Sequence, residues 1–330
     1  MQVNKNNNIV FAQLNCGNFD KYSLDGFILN QKVTRCWRKV DGFYKLQPVS
    51  YTEEWSLAER RKMADKIING INNGSAAFAA VTDDTVIGFA LLCGGLFGSG
   101  SQYTDLAEFY ISEPYRRNGI GKKLFEAACC EAKKRGAKKI YISAHSAEES
   151  IAAYKKYGCV LAAEPDVAHI LKEPFDLQLE YDLSVRIYKV EDKEKYMDLL
   201  LLADEQREMI EKYLGDSETY VIDDCGVKGE ITVKDAGGKI LEIKNLAVAT
   251  AYQRCGYGRK LVDFVCNKYG GIYEYLQVGT GESPLTLPFY KKCGFTYSHT
   301  VKNFFTDNYD HPIWEAGVRL RDMVYLVKKI

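Results

Sequence analysis

The chain has 330 residues, more than one ordinary domain needs, with 46% hydrophobic and 27% charged residues in the proportion of a soluble globular protein. Forty-four basic and 44 acidic side chains leave a formal charge of zero, so no overall field would hold the protein to nucleic acid. Seven prolines and the lack of any low-complexity tract argue against a long disordered arm.

In chain order, the opening MQVNKNNNIVFAQLN has no basic stretch followed by an apolar one, so no secretory signal is expected. The longest apolar run, Thr85 to Phe97, is too short to span a bilayer and contains glycines, so no membrane partner is expected either. Ten cysteines show no C-x-x-C pair, and His145, His169, His299 and His311 are scattered without ligand spacing. A cytoplasmic, metal-free protein with reduced thiols is the expectation.

Thr104 to Gly136 reads TDLAEFYISEPYRRNGIGKKLFEAACCEAKKRG, and Lys239 to Gly270 reads KILEIKNLAVATAYQRCGYGRKLVDFVCNKYG. Each predicts a strand, a polar turn, a Gly-x-Gly step and an amphipathic helix. Leu124, Phe125, Ala128 and Cys129 fall at helical spacing in the first copy, and Leu261, Val262, Phe264 and Val265 in the second. The loops match as Arg116-x-x-Gly119-x-Gly121 and Gln253-x-x-Gly256-x-Gly258. Downstream, SIAAYKKYGC (Ser150 to Cys159) answers LPFYKKCGF (Leu287 to Phe295). The chain reads as a tandem duplication with two domains, 1–183 and 184–330. The halves carry about +1 and −1, so neither is a basic module.

A strand running into Gly-x-Gly and a helix suits an anion, because glycine lets backbone approach the ligand and the helix start offers unpaired N–H groups. Arg116, Arg117, Lys122, Arg254 and Arg259 add positive charge. A dinucleotide fingerprint is excluded because Leu124 and Leu261 stand at the third glycine position, and a P-loop because Gly121-Lys122 is followed by Lys123. A helix start that merely needs small residues is the alternative; two matching copies favour a pyrophosphate.

These motifs resemble the GNAT superfamily of acyl-CoA-dependent N-acetyltransferases, most closely in KNLAVATAYQRCGYGRKL and RRNGIGKKLF, over roughly residues 76–183 and 185–330. The N-terminal stretch up to Asn73 matches weakly and is expected to elaborate the first strand and helices. The resemblance implies an α/β (α+β) fold in which each domain is a mixed, splayed sheet of six or seven strands flanked by helices. It implies acetyl-CoA, its pantetheine arm along Phe109, Tyr110 and Ile111 or along Leu246, Ala247 and Val248. The pyrophosphate would then lie on Arg116, Arg117, Asn118, Gly119, Ile120, Gly121 and Lys122, or on Gln253, Arg254, Cys255, Gly256, Tyr257, Gly258 and Arg259.

The resemblance further implies a tyrosine at the start of the later helix that donates a proton to the leaving sulfur, a position held by Tyr154 and Tyr290. Packing residues with satisfied hydroxyls are the alternative. Some relatives carry a basic carboxylate on the glycine strand, which here selects Glu242 and Asp105; an outward-facing edge charge is the other reading. Cys255, Cys293 and His145 are expected to be structural.

The segment Phe304 to Gly317, FFTDNYDHPIWEAG, is aromatic and acidic, with Asp307, Asp310 and Glu315. It either receives a cationic amine or forms an ordinary hairpin loop with solvated charges. The function expected is direct acetyl transfer to a primary amine of a small molecule or peptide. The alternative makes one half, more readily the N-terminal, a scaffold or acyl-CoA sensor. A monomer serving as a pseudo-dimer, or a homodimer, is expected.

Overall fold

Turn chemistry and alternation set the first elements of the computed structural model, which describes residues 9–330 and divides into one unit up to Ser184 and another from Val185 to Ile330. In unit 1, β1 (Val10–Leu14) is followed by a separate hairpin of β2 (Asn30–Val40) and β3 (Phe43–Glu54). Asp41 and Gly42 make its turn with φ of 52° and 85°, the geometry that an Asp-Gly pair supplies to a two-residue hairpin. Helix α1 (Leu57–Asn72) starts in a capping box formed by Ser56 and Glu59. The N-terminal elaboration is therefore a β-hairpin placed before a helix.

The rest of unit 1 is β4 (Ala76–Thr82), β5 (Thr85–Leu92), β6 (Tyr103–Ile111), α2 (Ile120–Lys134), β7 (Lys139–Ala144), α3 (Glu148–Tyr157), β8 (Val160–Leu161), α4 (Val167–Lys172) and β9 (Leu177–Asp182). They form a seven-stranded sheet in the order β1-β4-β5-β6-β7-β9-β8. Unit 2 runs β10 (Arg186–Val190), α5 (Met197–Leu200), α6 (Arg207–Leu214), β11 (Glu218–Asp223), β12 (Val227–Asp235), β13 (Ile240–Val248), α7 (Tyr257–Tyr269), β14 (Tyr275–Gly281), α8 (Thr286–Lys292) and β15 (Thr296–Val301). It ends with α9 (Phe304–Asn308), the short hairpin β16 (Trp314–Glu315) and β17 (Val318–Arg319), and β18 (Met323–Lys329). Its sheet, β10-β11-β12-β13-β14-β18-β15, repeats the order of the first. The two mixed seven-stranded sheets flanked by helices are the expected architecture.

Packing outweighs capping in these elements. Leu261, Val262 and Val265 of α7 are fully buried against the unit 2 sheet, at about 1.5–3 kcal/mol each. A side-chain cap contributes about 1 kcal/mol, and α7 and α2 do without one.

The registers of the copies also match. Gly88, Phe89, Ala90 and Leu91 face Ile111, Tyr110, Phe109 and Glu108, and then the pairing skips Ala107. Gly229, Glu230, Ile231 and Thr232 face Val248, Ala247, Leu246 and Asn245, and then it skips Lys244. Both bulges lie beside the point where a second ladder ends. Strand β6 pairs with β7 only from Tyr103 to Asp105, and β13 with β14 only from Ile240 to Ile243. Beyond those residues each strand keeps one neighbour and opens a gap on the other side. Among the described residues no helix is long and apolar enough to cross a membrane, and no group of three or more His, Cys, Asp or Glu is placed to hold a metal.

Gly229 marks how closely β12 and β13 approach beside the gap, since a Cβ there would lie 2.6 Å from the Ala247 carbonyl oxygen. Gly229→Ala should destabilise unit 2 by about 1–3 kcal/mol, the usual cost of overpacking, measured by urea unfolding. An unchanged midpoint would show that the strands absorb the methyl group.

Candidate active site

In both units the glycine loop closes the open half of the strand. Arg117 and Arg254 adopt φ of 67° and 61°, and Gly119 and Gly256 φ of 77° and 86°, before the helices begin. Gly119 and Gly256 are the helix N-caps and supply no side-chain acceptor, so among the described residues no side chain caps the first N–H groups of α2 and α7. A Cβ on either glycine would meet nothing within 4 Å, so the space over each helix start is open. The second glycines do different work: a Cβ on Gly121 would sit 2.6 Å from the Tyr157 hydroxyl, and one on Gly258 3.2 Å from the Phe289 ring. They admit the later helix against the earlier one.

The loop side chains divide into two groups. Arg116 Nε donates to the Ile111 carbonyl at 3.1 Å, and Gln253 Nε2 to the Val248 carbonyl at 3.2 Å. Both satisfy the last carbonyl of the open strand, which explains why arginine and glutamine exchange at this position. Arg259 Nη1 donates to the Lys292 carbonyl at 3.1 Å, Lys122 lies 3.7 Å from Glu126, and the Tyr257 hydroxyl donates to Asp224 at 2.8 Å. Arg117, Asn118 and Arg254 are exposed and make no ion pair among the described residues, while Ile120 is buried. Exposed Cys255 leans on the Gln253 carbonyl. Cys293 is buried, and burial raises its thiol pKa, which makes it a poor nucleophile. His145 bonds the Tyr51 hydroxyl at 3.1 Å.

Tyr154 and Tyr290 lie past the middle of α3 and α8 rather than at their starts. Neither hydroxyl makes a hydrogen bond among the described residues. Tyr290 is 6% exposed, and its ring packs against Phe289 and Phe295; Tyr154 packs against Phe109. Burial pushes both phenols far above their ordinary range, so each keeps its proton.

The sequence-predicted carboxylates are both partnered. Glu242 Oε1 lies 2.9 Å from Lys244 Nζ. Asp105 Oδ2 lies 3.1 Å from His169 Nε2, whose Nδ1 lies 2.7 Å from Asp166. That histidine ties α4 to the strand at the point where β6 leaves β7. Sequence reasoning missed Glu230. It is fully buried, accepts the Ala247 N–H at 3.1 Å and the Thr232 hydroxyl at 2.8 Å, and has no ion-pair partner among the described residues. Burial pushes its pKa up to about 8. The available signal was a glutamate inside the β-branched run VKGEITVKD. Of the three backbone positions expected to meet the pantetheine arm in this unit, Ala247 thus has its N–H engaged, leaving Leu246 and Val248.

The distinctive C-terminal segment forms α9 and the β16–β17 hairpin around a small core of Phe305, Ile313 and Leu320. Tyr309 donates to Asp204 Oδ1 at 3.2 Å, and Thr286, itself bonded to Thr280, lies 3.5 Å from Glu315. Ser283 does not cap α8; its hydroxyl accepts the Leu285 N–H at 3.1 Å. Asp307 and Asp310 pair locally with Thr306 and His311.

An open-edged strand feeding an uncapped, glycine-led helix, beside a tyrosine on the next helix, defines the class. The family model described as the acetyltransferase (GNAT) family matches residues 40–159, and the acetyltransferase (GNAT) domain matches residues 215–297. An uncharacterized N-acetyltransferase of Bacillus subtilis strain 168, YvbK, is 34% identical over 141 residues, which cover 41% of this chain and 90% of the relative. A GNAT acetyltransferase from Elizabethkingia anophelis, solved with acetyl-CoA, is 36% identical over 44% of this chain and 98% of its own, with a TM-score of 0.42. A B. subtilis acetyltransferase solved with CoA is 32% identical over 44% and 99%, with a TM-score of 0.42. The chain is an acetyltransferase of the GNAT family and carries two of its domains.

The Asp105–His169–Asp166 cluster has a pH signature. Its two carboxylates, Asp105 first, raise the His169 pKa from 6.5 to about 9 against the opposing effect of burial. A raised cation pKa gives stability that is complete below about pH 6.5 and fades as pH climbs through about 9. His169→Gln should therefore cost clearly more at pH 6 than near pH 9.5 in urea unfolding, and a pH-independent cost would contradict the ion-pair assignment.

Proposed function

We propose that the chain transfers the acetyl group of acetyl-CoA to a primary amine of a small molecule or peptide, and that unit 2 is the working half. One observation carries this reading: in unit 2 the unpaired edge of β13 runs into the uncapped start of α7, and Tyr290 of the later helix α8 keeps a buried hydroxyl without a partner among the described residues. These residues suit acetyl-CoA, which would supply a thioester acyl donor. Leu246 and Val248 would hold its arm by backbone pairing, and the first N–H groups of α7 with Arg254 would hold the phosphates.

The chain's own residues then handle protons. The acceptor amine must lose one as its nitrogen bonds to the acyl carbon, and the departing sulfur must gain one as its bond to that carbon breaks. Glu242 receives the first on Oε2, since Oε1 faces Lys244. The Tyr290 hydroxyl supplies the second. The acceptor enters beside Glu315 and Tyr309 of the C-terminal segment, and a cationic amine suits those groups.

Unit 1 is read as the scaffold or acyl-CoA-binding half. Its loop and Tyr154 match those of unit 2, but Asp105, at the base position, is tied through His169 to Asp166 and α4, whereas the partner of Glu242 is a lysine two residues along its own strand. As a single chain with two such domains, the protein is read as a pseudo-dimer working in the cytoplasm.

Calorimetric titration with acetyl-CoA should give one or two equivalents; no binding would refute this reading. Gly256→Trp, which fills the open space over α7, should abolish acetylation of an amine panel, and Gly119→Trp should leave most of it. Equal losses would move the chemistry to both halves. Tyr290→Phe and Glu242→Gln should each lower kcat by about 10²–10⁴, the usual contribution of a positioned acid or base. Full activity in either variant would remove that residue from its role.

A further inference from the structure

On the face of unit 2 covered by α5 and α6 lies a hydrogen-bond acceptor that the fold leaves unused. Asn245, 4% exposed, stands next to the bulge at which β13 leaves β14. Its Nδ2 donates to the Leu200 carbonyl at 3.0 Å and to the Tyr213 hydroxyl at 2.9 Å. A carbonyl can only accept, so the amide cannot be turned round, and Oδ1 is the atom left over. It is buried with no partner among the described residues. A buried acceptor without a donor is costly and asks what fills it.

Asp204 adjoins it, because its backbone N–H reaches the same Leu200 carbonyl at 3.1 Å. Its Oδ1 accepts from Tyr309 at 3.2 Å and from the Gln206 N–H at 3.4 Å. Gln206 Oε1 is a second buried acceptor without a partner. The charged groups that face this cluster are Glu205 and Lys244, and Lys244 is already paired with Glu242.

The other copy of the fold shows what such a position accepts. By register, Asn245 corresponds to Glu108, since Thr232 faces Asn245 as Leu91 faces Glu108, each beside its bulge. Glu108 is 7% exposed, and its carboxylate binds the ammonium of Lys66, which projects from α1 on the corresponding face. In unit 1 the seat is therefore occupied by an amine of the chain itself. In unit 2 no lysine bonds Asn245 among the described residues; Lys244, paired with Glu242, stands 5.7 Å from the centre of the Tyr213 ring.

We propose that Asn245 Oδ1 and Asp204, framed by Tyr213 and Tyr309, form a seat for the ammonium group of the acceptor substrate in unit 2, and that Lys66 fills the equivalent seat in unit 1. The proposal rests on the acetyl-transfer reading above and makes the acceptor a cationic primary alkylamine. It also gives unit 1 a physical reason to refuse such a substrate.

The test titrates the full chain, with and without saturating CoA, with n-butylammonium chloride, and with n-butanol as an uncharged probe of the same length. Wild type should bind one butylammonium and discriminate against butanol. Asn245→Leu and Asp204→Asn should each weaken ammonium binding about tenfold, the scale of a lost hydrogen bond to a charged group, and leave CoA affinity unchanged. Lys66→Met should add a second ammonium equivalent by freeing Glu108. Should Asn245→Leu fail to fold, the Asp204 and Lys66 variants carry the same test. No butylammonium binding to wild type, equal affinity for butanol, or unchanged stoichiometry in Lys66→Met would overturn the seat. Failure of CoA to bind would instead count against the acetyl-transfer reading, and the titration without CoA would still report on the seat.

Discussion

The site in each unit depends on one constraint, a strand that keeps its ladder on one side and loses it on the other. Strand β13 pairs with β12 up to Val248 but leaves β14 after Ile243, and β6 does the same after Asp105. Exposed backbone donors and acceptors are tolerable only where something else satisfies them. Arg116 and Gln253 do so for the final carbonyls, through chemically different side chains with the same reach. What remains unpaired is the middle of each strand, where an extended ligand can add its own hydrogen bonds as a missing strand would.

The bulge beside each gap then sets what faces the covering helices. In unit 1 that face is apolar apart from the Glu108–Lys66 pair: Ala77, Leu91, Phe89 and Tyr110 pack together, with the Phe89 and Tyr110 rings 5.6 Å apart. The corresponding places in unit 2 hold Thr219, Thr232, Glu230 and Ala247, the first three fully buried. Replacing an aromatic plug with a buried carboxyl and two hydroxyls forfeits packing worth a few kcal/mol and requires every polar atom to find a partner. Thr219, Thr232 and Glu230 form such a chain, ending on the Ala247 N–H. Asn245 Oδ1 is the place where that satisfaction stops.

Much of this was legible in the residues and some was not. The two Arg/Gln-x-x-Gly-x-Gly loops, with Tyr-x-x-x-Gly downstream, carry local geometry: a glycine with positive φ at each helix start and a small residue where two helices meet. Patterns of that kind survive in sequence because one backbone position demands one residue type. Partnership between distant segments leaves no such mark. Nothing near Asp105 announces His169, which comes from a short helix 64 residues on. Nothing near Glu108 announces Lys66, and Glu230 looks like any strand-edge glutamate until its burial is known. The hairpin formed by β2 and β3 was hidden for another reason: its Asp-Gly turn is plain, but its strands are half-exposed and carry little hydrophobic alternation.

Duplication gives the chain an internal control that a single domain lacks. Both copies keep the loop, the open strand and a neutral tyrosine, so those features follow from the shared fold. The copies part at the side chains that face the covering helices. In unit 1 two cations of the chain, His169 and Lys66, neutralise the carboxylates at the vertex and in the seat. In unit 2 the vertex carboxylate has a lysine beside it on the same strand, and the seat carries a neutral amide with one idle oxygen. A charged group buried with its counter-ion gains structure and loses the capacity to bind another ion. An amide left half-satisfied has the opposite balance, costing stability in the free protein and recovering it when a donor arrives. That difference in polarity, set by which helices cover the sheet, is what separates the two copies at this face.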